Sequence, residues 1–369
     1  MLGYVALPPE PALSDLLNSQ GGRYDGILGV TAAVEMLRTL NDNDIKTAYP
    51  VGVVNWTNEE GARFPISMVA SGVWAGEISE SHAHNLQEVG GGTATMKSEL
   101  ERIGYLGSTR ASHEAIPMAA HFELHIEQGP ILEAEGRKVG VVKGVQAYRW
   151  FTVTVKGRDC HTGTTSFAHR ADAMLAAAKM IVYSHRAATA RGGLASTGIL
   201  TLKPGSTNTV PGTVNFSLDI RAPRDETVRE VEDACRTAFE AIAKGEDVEG
   251  LNEGSTPSDR HCSVEWRTDS DSPAINFHDD CIQCVKDAAS DHFGTSEVEK
   301  LTKTMVSGAG HDSVYTSKRV PTSMLFIPCR DGVSHNPAEY SSPEDCAIGA
   351  QVLMGAVLHY DRLRADRGH

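Results

Sequence analysis

Carboxylates and imidazoles that follow short apolar runs, or sit in Gly-rich turns, are the side chains of this sequence best suited to chemistry. The turn GGRYDG (21 to 26) sets Asp25 directly before a helical pattern, and PVGVVNWTNEEGARF ends in adjacent Glu59 and Glu60, closed by Gly61. In FELHIEQGP (122 to 130), strand alternation puts Glu123, His125 and Glu127 on one side; SHNPAE (334 to 339) brings His335 to the exit of the strand MLFIPC. Each has a plain alternative: an N-cap for Asp25, a solvated turn for the two glutamates, a packed imidazole for His125, a capping loop around His335. Two neighbouring carboxylates repel and raise a pKa unless a cation lies between them. Strand ends of an open α/β sheet converge on one edge. Asp, Glu and His at four such ends are the donor set of a zinc, manganese or cobalt site with a bridging carboxylate, a centre that activates water.

The elements that must position these residues fall into two textures. Val30, Val34 and Leu37 share a helical face before the apolar strand PVGVVNW. Towards the C-terminus MLFIPC (324 to 329) is a buried strand, and Ser342-Pro343-Glu344-Asp345 opens a helix running to about Leu363. Both ends therefore form one α/β domain with a parallel sheet, 1–146 and 269–369. The middle differs. Alternating Phe151, Val153 and Val155, a helix marked by Met174, Ala178, Ile181 and Val182, strands GILTLK and TVNFSLDIR, a helix opened by a Thr227 to Glu230 capping box, and the strand SVEWR give βαββαβ. This ferredoxin-like module spans 147–268, with one long loop at 244–259.

A chain of 369 residues, 40% hydrophobic and 22% charged, has ample material for two folded cores. A formal charge of -14 without a basic stripe excludes nucleic acid as a partner. No apolar run approaches the roughly 20 residues of a membrane span, and the start lacks a secretory signal, so a cytoplasmic protein is expected. Seven cysteines, an odd number, suit reduced thiols. Cys281 and Cys284 lie within an amphipathic helical pattern and read as two thiols on one face. There is no P-loop, G-x-G-x-x-G, G-x-S-x-G or H-E-x-x-H, which removes the main support for nucleotide and serine-hydrolase chemistry.

GGRYDG, NEEGARF, ELHIEQGP, HTGTT (161 to 165), the N-x-x-PG-x-x-x-F-x-x-DIR stretch, SGAGHD (307 to 312) and SHNPAEY occur in one order. That order resembles the N-carbamoyl-L-amino-acid amidohydrolases, with yeast-type β-ureidopropionase and allantoate amidohydrolase, a branch of the dinuclear-metal exopeptidase and aminoacylase superfamily. The resemblance covers residue 21 onwards. It implies a zinc-exopeptidase-like catalytic domain with an inserted dimerisation and lid domain, and two Zn, Mn or Co ions per subunit. By it, Asp25 bridges the metals, Glu60 and His335 complete one site and His125 belongs to the other. Glu59 would be general base, returning its proton to the leaving nitrogen, and His161 would stabilise the oxyanion in a partner subunit's site. Arg221 and Asn208 would clamp a substrate carboxylate, with Gln128 and His311 further substrate-side positions. Residue alternation independently places Arg221 with Asn215, Ser217 and Asp219 on one strand face, where its plain reading is an ion pair with Asp219.

One departure stands out. The family has an H-x-D motif upstream of the GG-x-x-DG turn, and only MLGYVALPPEPALSDLLNSQ, without histidine, precedes Gly21 here. The second site would keep only Asp25 and His125, so as few as one metal is expected, and the lost strands should expose an apolar sheet edge. An incomplete gene model or splice product, a mononuclear enzyme and a catalytically impaired descendant all fit; the Pro-rich start, which reads as loop, favours the first. The expected activity is metal-dependent hydrolysis of a linear C–N bond in a small N-carbamoyl amino acid or ureido acid by a cytoplasmic homodimer. An aminoacylase or dipeptidase of the same superfamily, or a non-catalytic binding scaffold, are the competing readings.

Overall fold

A computed structural model describes residues 22–254 and 256–368; the Pro-rich start read as loop, and Gly21, lie outside them. The described residues form two compact units, one running to Val145 and resuming at Asn276, the other spanning Gln146–Ile275. The first contains α1 (Ile27–Asp42), β1 (His121–Ile126) and β2 (Val139–Val145). The second follows with β3 (Ala147–Lys156), β4 (Cys160–His161), α2 (Ala173–Ala190), β5 (Leu194–Ser196), β6 (Leu200–Lys203), β7 (Thr209–Val210), β8 (Thr213–Ala222), α3 (Asp225–Ala243) and β9 (Ser263–Ser272). After β10 (Ile275–Asn276) the first unit continues through α4 (Asp279–Phe293), β11 (Thr302–Ser307), β12 (Thr322–Ile327) and α5 (Pro343–Arg367).

In the first unit β1 runs parallel to β12, β12 antiparallel to β2, and β2 parallel to β11. Two of these three pairings are parallel, as expected of a mostly parallel sheet, and the β12–β2 pair is antiparallel. Leu124 and Ile126 of β1 and Leu325 and Ile327 of β12 are buried in one core with Val352 and Ala356 of α5 and Val285 and Ala289 of α4. Gly349 allows that approach: a Cβ there would lie 2.7 Å from Ile327 Cγ2 and 2.9 Å from Leu124 Cδ1. Ser342 caps α5, its hydroxyl accepting the Asp345 N–H, with Pro343 next, as the sequence indicated.

Several expectations need correction. Residues 51–56, read as a strand, make no ladder; extended backbone becomes a strand only with a neighbour to pair with, and none lies beside it among the described residues. In α1 the buried face is Ala32, Met36 and Leu40, while Val30, Val34 and Leu37 are half-buried. β1 is the outer strand among the described residues, and its Leu124 and Ile126 are buried on the face that meets the helices.

In the second unit β5 and β6 both pair with β8, β8 with β3 and β3 with β9, all antiparallel, the strand order of a split βαβ sheet. Val214, Phe216, Leu218 and Ile220 of β8 face a core shared with Met180 of α2 and Val231, Cys235 and Phe239 of α3. The Thr227 capping box is absent. The N-cap is Arg224, three residues earlier, with Asp225 and Glu226 stabilising the first turn, so Thr227 is already inside the helix and buried. Val182, read as a core position of α2, is exposed. No helix among the described residues is long and apolar enough to cross a membrane.

Leu124→Ala should lower stability by about 2–5 kcal/mol in urea titration, because Leu124 is 1% exposed among aliphatic neighbours. The half-exposed Ile27→Ala should cost under about 0.5 kcal/mol. Equal effects would contradict this core.

Candidate metal centre and active site

Asp25 precedes α1, but the N-cap is Gly26 at φ 71, a torsion that glycine adopts readily, and no side chain caps the helix. The Asp25 carboxylate turns inward instead. Its Oδ1 lies 2.8 Å from His125 Nε2, its Oδ2 3.1 Å from His335 Nε2, and Gln128 Nε2 donates to Oδ2 at 2.8 Å. His335 Nε2 is also 3.5 Å from Glu60 Oε1. Donor atoms of Asp25, Glu60 and His335 all lie within 4.8 Å of one another.

Alternation along β1 explains part of this. Leu124 faces the helices, so Glu123 and His125 face the other way, His125 fixed by a 2.8 Å contact of Nδ1 with the Ile126 carbonyl. Glu127 departs from the expected row. It lies past the strand end, and its carboxylate accepts the N–H groups of Ile131 and Leu132. Glu59 and Glu60 ride on a loop that is hydrogen-bonded to itself. Asn58 donates to the carbonyls of Phe64 and Ile66 and accepts the Phe64 N–H, and the Met68 N–H reaches the Glu59 carbonyl. Gly61 closes the loop at φ 67, where a Cβ would lie 2.7 Å from Ser67 N.

The electrostatics follow from crowding. Burial, then Glu60, Glu123 and Asp25, push Glu59 up to about 8. Burial and Asp25 raise Glu60 to about 7. Burial opposes ionisation of Asp25, but the His125 hydrogen bond and the charges of His125 and His335 outweigh it and hold Asp25 at about 2. Burial likewise opposes the charge on His125, which Asp25 lifts to about 9. Burial, then Glu59 and Glu123, raise Asp312 well above the usual carboxylate range. The main influences on these carboxyls are one another and histidines; no lysine or arginine is among them.

The remaining candidates divide by unit. His311 is buried, its Nε2 2.9 Å from Ser307 Oγ and its ring edge-on to His125 at 4.6 Å. In the second unit β4 pairs with β7, and the Thr162 N–H donates to the Asn208 carbonyl, so His161 and Asn208 sit together and exposed. Arg221 forms the ion pair with Asp219, 2.8 Å from Nη2, and its guanidinium lies over the Tyr148 ring. Sequence reasoning passed over Glu339, Ser334, Asp312 and Ser313. Ser313 donates to the half-buried Glu123 through both its N–H and hydroxyl, and the Asp312 carboxyl accepts the Ser71 hydroxyl. Glu339 stood inside the quoted SHNPAE motif, but nothing in a loop sequence separates a solvated glutamate from one that is 0% exposed.

The description of peptidase family M20/M25/M40 matches residues 8–359. The chain belongs to that family. This M20 chain is 40% identical, over 340 residues, to an N-carbamoyl-L-amino-acid amidohydrolase of Rhizobium meliloti, covering 92% of the chain and 76% of the relative. It is 32% identical over 344 residues to the ureidoglycolate hydrolase of Oryza sativa subsp. japonica, covering 91% of the chain and 67% of the relative. Among solved structures it is similar to a hydantoinase/carbamoylase family amidase from Burkholderia multivorans, with TM-score 0.80 and 38% identity over 92% of this chain and 77% of that one.

The residues of the M20 chain fit a divalent cation: two carboxylates and an imidazole converge amid carboxyls whose main charged neighbours, among the described residues, are one another and histidines. For a second ion the described residues bring together only Asp25 and His125. Gly61→Ala should destabilise the protein by about 1–3 kcal/mol in a denaturation experiment, through its left-handed torsion and the collision with Ser67. A neutral result would mean that the Glu59–Glu60 loop is not held as described.

Proposed function

We propose that this protein is a metal-dependent hydrolase that cleaves a linear C–N bond of an N-carbamoyl amino acid or ureido acid. The observation that carries this reading is the meeting of Asp25, Glu60 and His335 donors within 4.8 Å, next in sequence to a half-buried Glu59. The names of the relatives supply the substrate class. Asp25, Glu60 and His335 would hold zinc, manganese or cobalt, with His125 on the far side of Asp25. A divalent cation there supplies the Lewis acidity that polarises the carbonyl and acidifies water. Glu59 takes the proton from the attacking water and hands it to the leaving nitrogen. Burial and the neighbouring carboxylates raise Glu59 in the metal-free chain, and a cation beside it would offset that repulsion and favour the carboxylate that accepts the proton of water.

The second unit is assigned substrate binding. Arg221 exchanges Asp219 for the substrate carboxylate, which a planar guanidinium can hold by two parallel hydrogen bonds, and Asn208 adds an amide donor. His161, exposed beside Asn208, is assigned the stabilisation of the oxyanion in a partner subunit's site. Gln128 reaches the site through Asp25, and His311 backs its wall behind His125. A homodimer through this unit is supported by exposed Leu175 and Val182, seven residues apart on α2, and by exposed Ile199 and Leu200 at the outer strand β6. The seven cysteines are all free thiols, which suits a reducing compartment such as the cytoplasm.

Amino-acid release from N-carbamoyl-L-amino acids tests the reaction. It should vanish on chelation and return with Zn, Mn or Co. Glu59→Gln should lower the rate at least about 100-fold while metal stays bound. Turnover that survives both treatments would contradict the proposal, and release from N-acyl amino acids or dipeptides alone would point to the aminoacylase or dipeptidase reading. In light scattering at micromolar concentration the protein should be a dimer, and Leu175→Glu with Val182→Glu should make it a monomer. A monomeric wild type would rule out this interface.

A further inference from the structure

The loops that carry Asp25 and His335 lie more than 300 residues apart in sequence, yet one buried side chain grips both. Glu339 is 0% exposed. Its Oε1 accepts the N–H of Tyr24 at 2.7 Å and that of Asp25 itself at 3.0 Å. Its Oε2 accepts the Ser334 hydroxyl at 2.9 Å, one residue before His335. The Ser334 oxygen in turn lies 3.3 Å from Asp25 Oδ2 and accepts Gln128 Nε2–H at 3.1 Å. A buried carboxylate is costly unless donors satisfy it, and here three do.

Two further details show that the surroundings are shaped for this grip. A Cβ on Gly22 would lie 1.7 Å from Glu339 Oε2, so the chain just before Asp25 must lack a side chain for the carboxylate to be where it is. His335 has φ 54, a left-handed torsion that a non-glycine residue keeps only when its flanks are fixed. The flanks are fixed, by Ser334 on Glu339 and by the Glu339 N–H on the Asn336 carbonyl.

We propose that Glu339 is a positioning residue for the metal centre: its carboxylate latches the Asp25 turn to the His335 loop and so sets how tightly Asp25, Glu60 and His335 bind a divalent cation. This inference rests on the metal-centre reading above. Glu339 is not itself a donor to the cation. Its contribution is geometric, keeping two donors from distant parts of the chain at the separation seen here without a cation having to assemble them. Outer groups that orient metal ligands typically contribute about 10–100-fold in affinity.

The test is Zn2+ affinity of the metal-free full-length protein, by competition with a chromophoric chelator, with the melting temperature of each metal-free variant measured alongside. Glu339→Ala should remain folded and raise the Zn2+ Kd about 10–100-fold. Gly22→Ala, which leaves Glu339 in the sequence but drives its carboxylate off Oε2's position, should weaken Zn2+ binding comparably. Glu339→Gln keeps an oxygen for the two N–H groups and an amide opposite Ser334, and should stay within about fivefold of wild type, the difference between charged and neutral hydrogen bonds. Wild-type Kd values in folded Glu339→Ala or Gly22→Ala would overturn the proposal. A Glu339→Gln loss as large as that of Glu339→Ala would also overturn it, since charge and not geometry would then be at work. If Glu339→Ala does not fold, Gly22→Ala and Glu339→Gln decide by the same criteria. Failure of the wild type to bind Zn2+ at all would instead remove the metal-centre reading beneath it.

Discussion

Five carboxyl groups, Asp25, Glu59, Glu60, Glu123 and Asp312, crowd a region that runs from the exposed Glu60 to the buried Asp312, and their repulsion is the constraint around which the first unit is organised. Like charges at such separations cannot all ionise in a low dielectric, so some must take up protons, pair with imidazolium or share a cation. The protein does the first two unevenly. Asp25 is kept ionised by His125 and His335, while Glu59, Glu60 and Asp312 are pushed towards their neutral forms. A divalent ion is the remaining compensation, and the donors that lie closest together are those able to hold it.

Holding such a group together needs elements that do not yield to the repulsion. β1 supplies one by alternation, because Leu124 and Ile126 are locked under α5 and α4 and thereby fix the direction of Glu123 and His125. The Glu59–Glu60 loop supplies another through the hydrogen bonds of Asn58 and the close turn at Gly61. The buried residues Ser313 and Ser71 satisfy Glu123 and Asp312, so that these carboxyls are neither bare nor free to reach the cation donors. Core packing, turn chemistry and polar satisfaction thus serve one arrangement, as expected where a site is pre-organised before its ligand arrives.

Much of this was legible in the sequence. Strand alternation through β1 and β8 gave the facing of His125 and Arg221, and Ser342-Pro343 marked the start of α5, because period and capping are local properties. The places of Asp25, Glu60 and His335 in turns and after apolar runs pointed to an Asp, Glu and His donor set, while their grouping in one site was what the family resemblance implied. What was not legible depended on partners elsewhere in the chain. Residues 51–56 have a strand's composition without a neighbour to pair with, and β2 pairs antiparallel with β12. Glu127 was placed on one side with Glu123 and His125 by a period that ended one residue too soon, and its carboxylate went to the following turn. Glu339 and Asp312 carry no local signal at all; only burial distinguishes them from solvated acids.

The most direct test of the central claim is metal quantitation with X-ray absorption on purified wild type and on His335→Ala. The account predicts at least one divalent ion per wild-type chain, in a first shell of oxygen and nitrogen donors at about 2.0–2.2 Å for zinc, and its loss from His335→Ala. A wild type free of metal after loading, or an ion held equally well without the His335 imidazole, would contradict it.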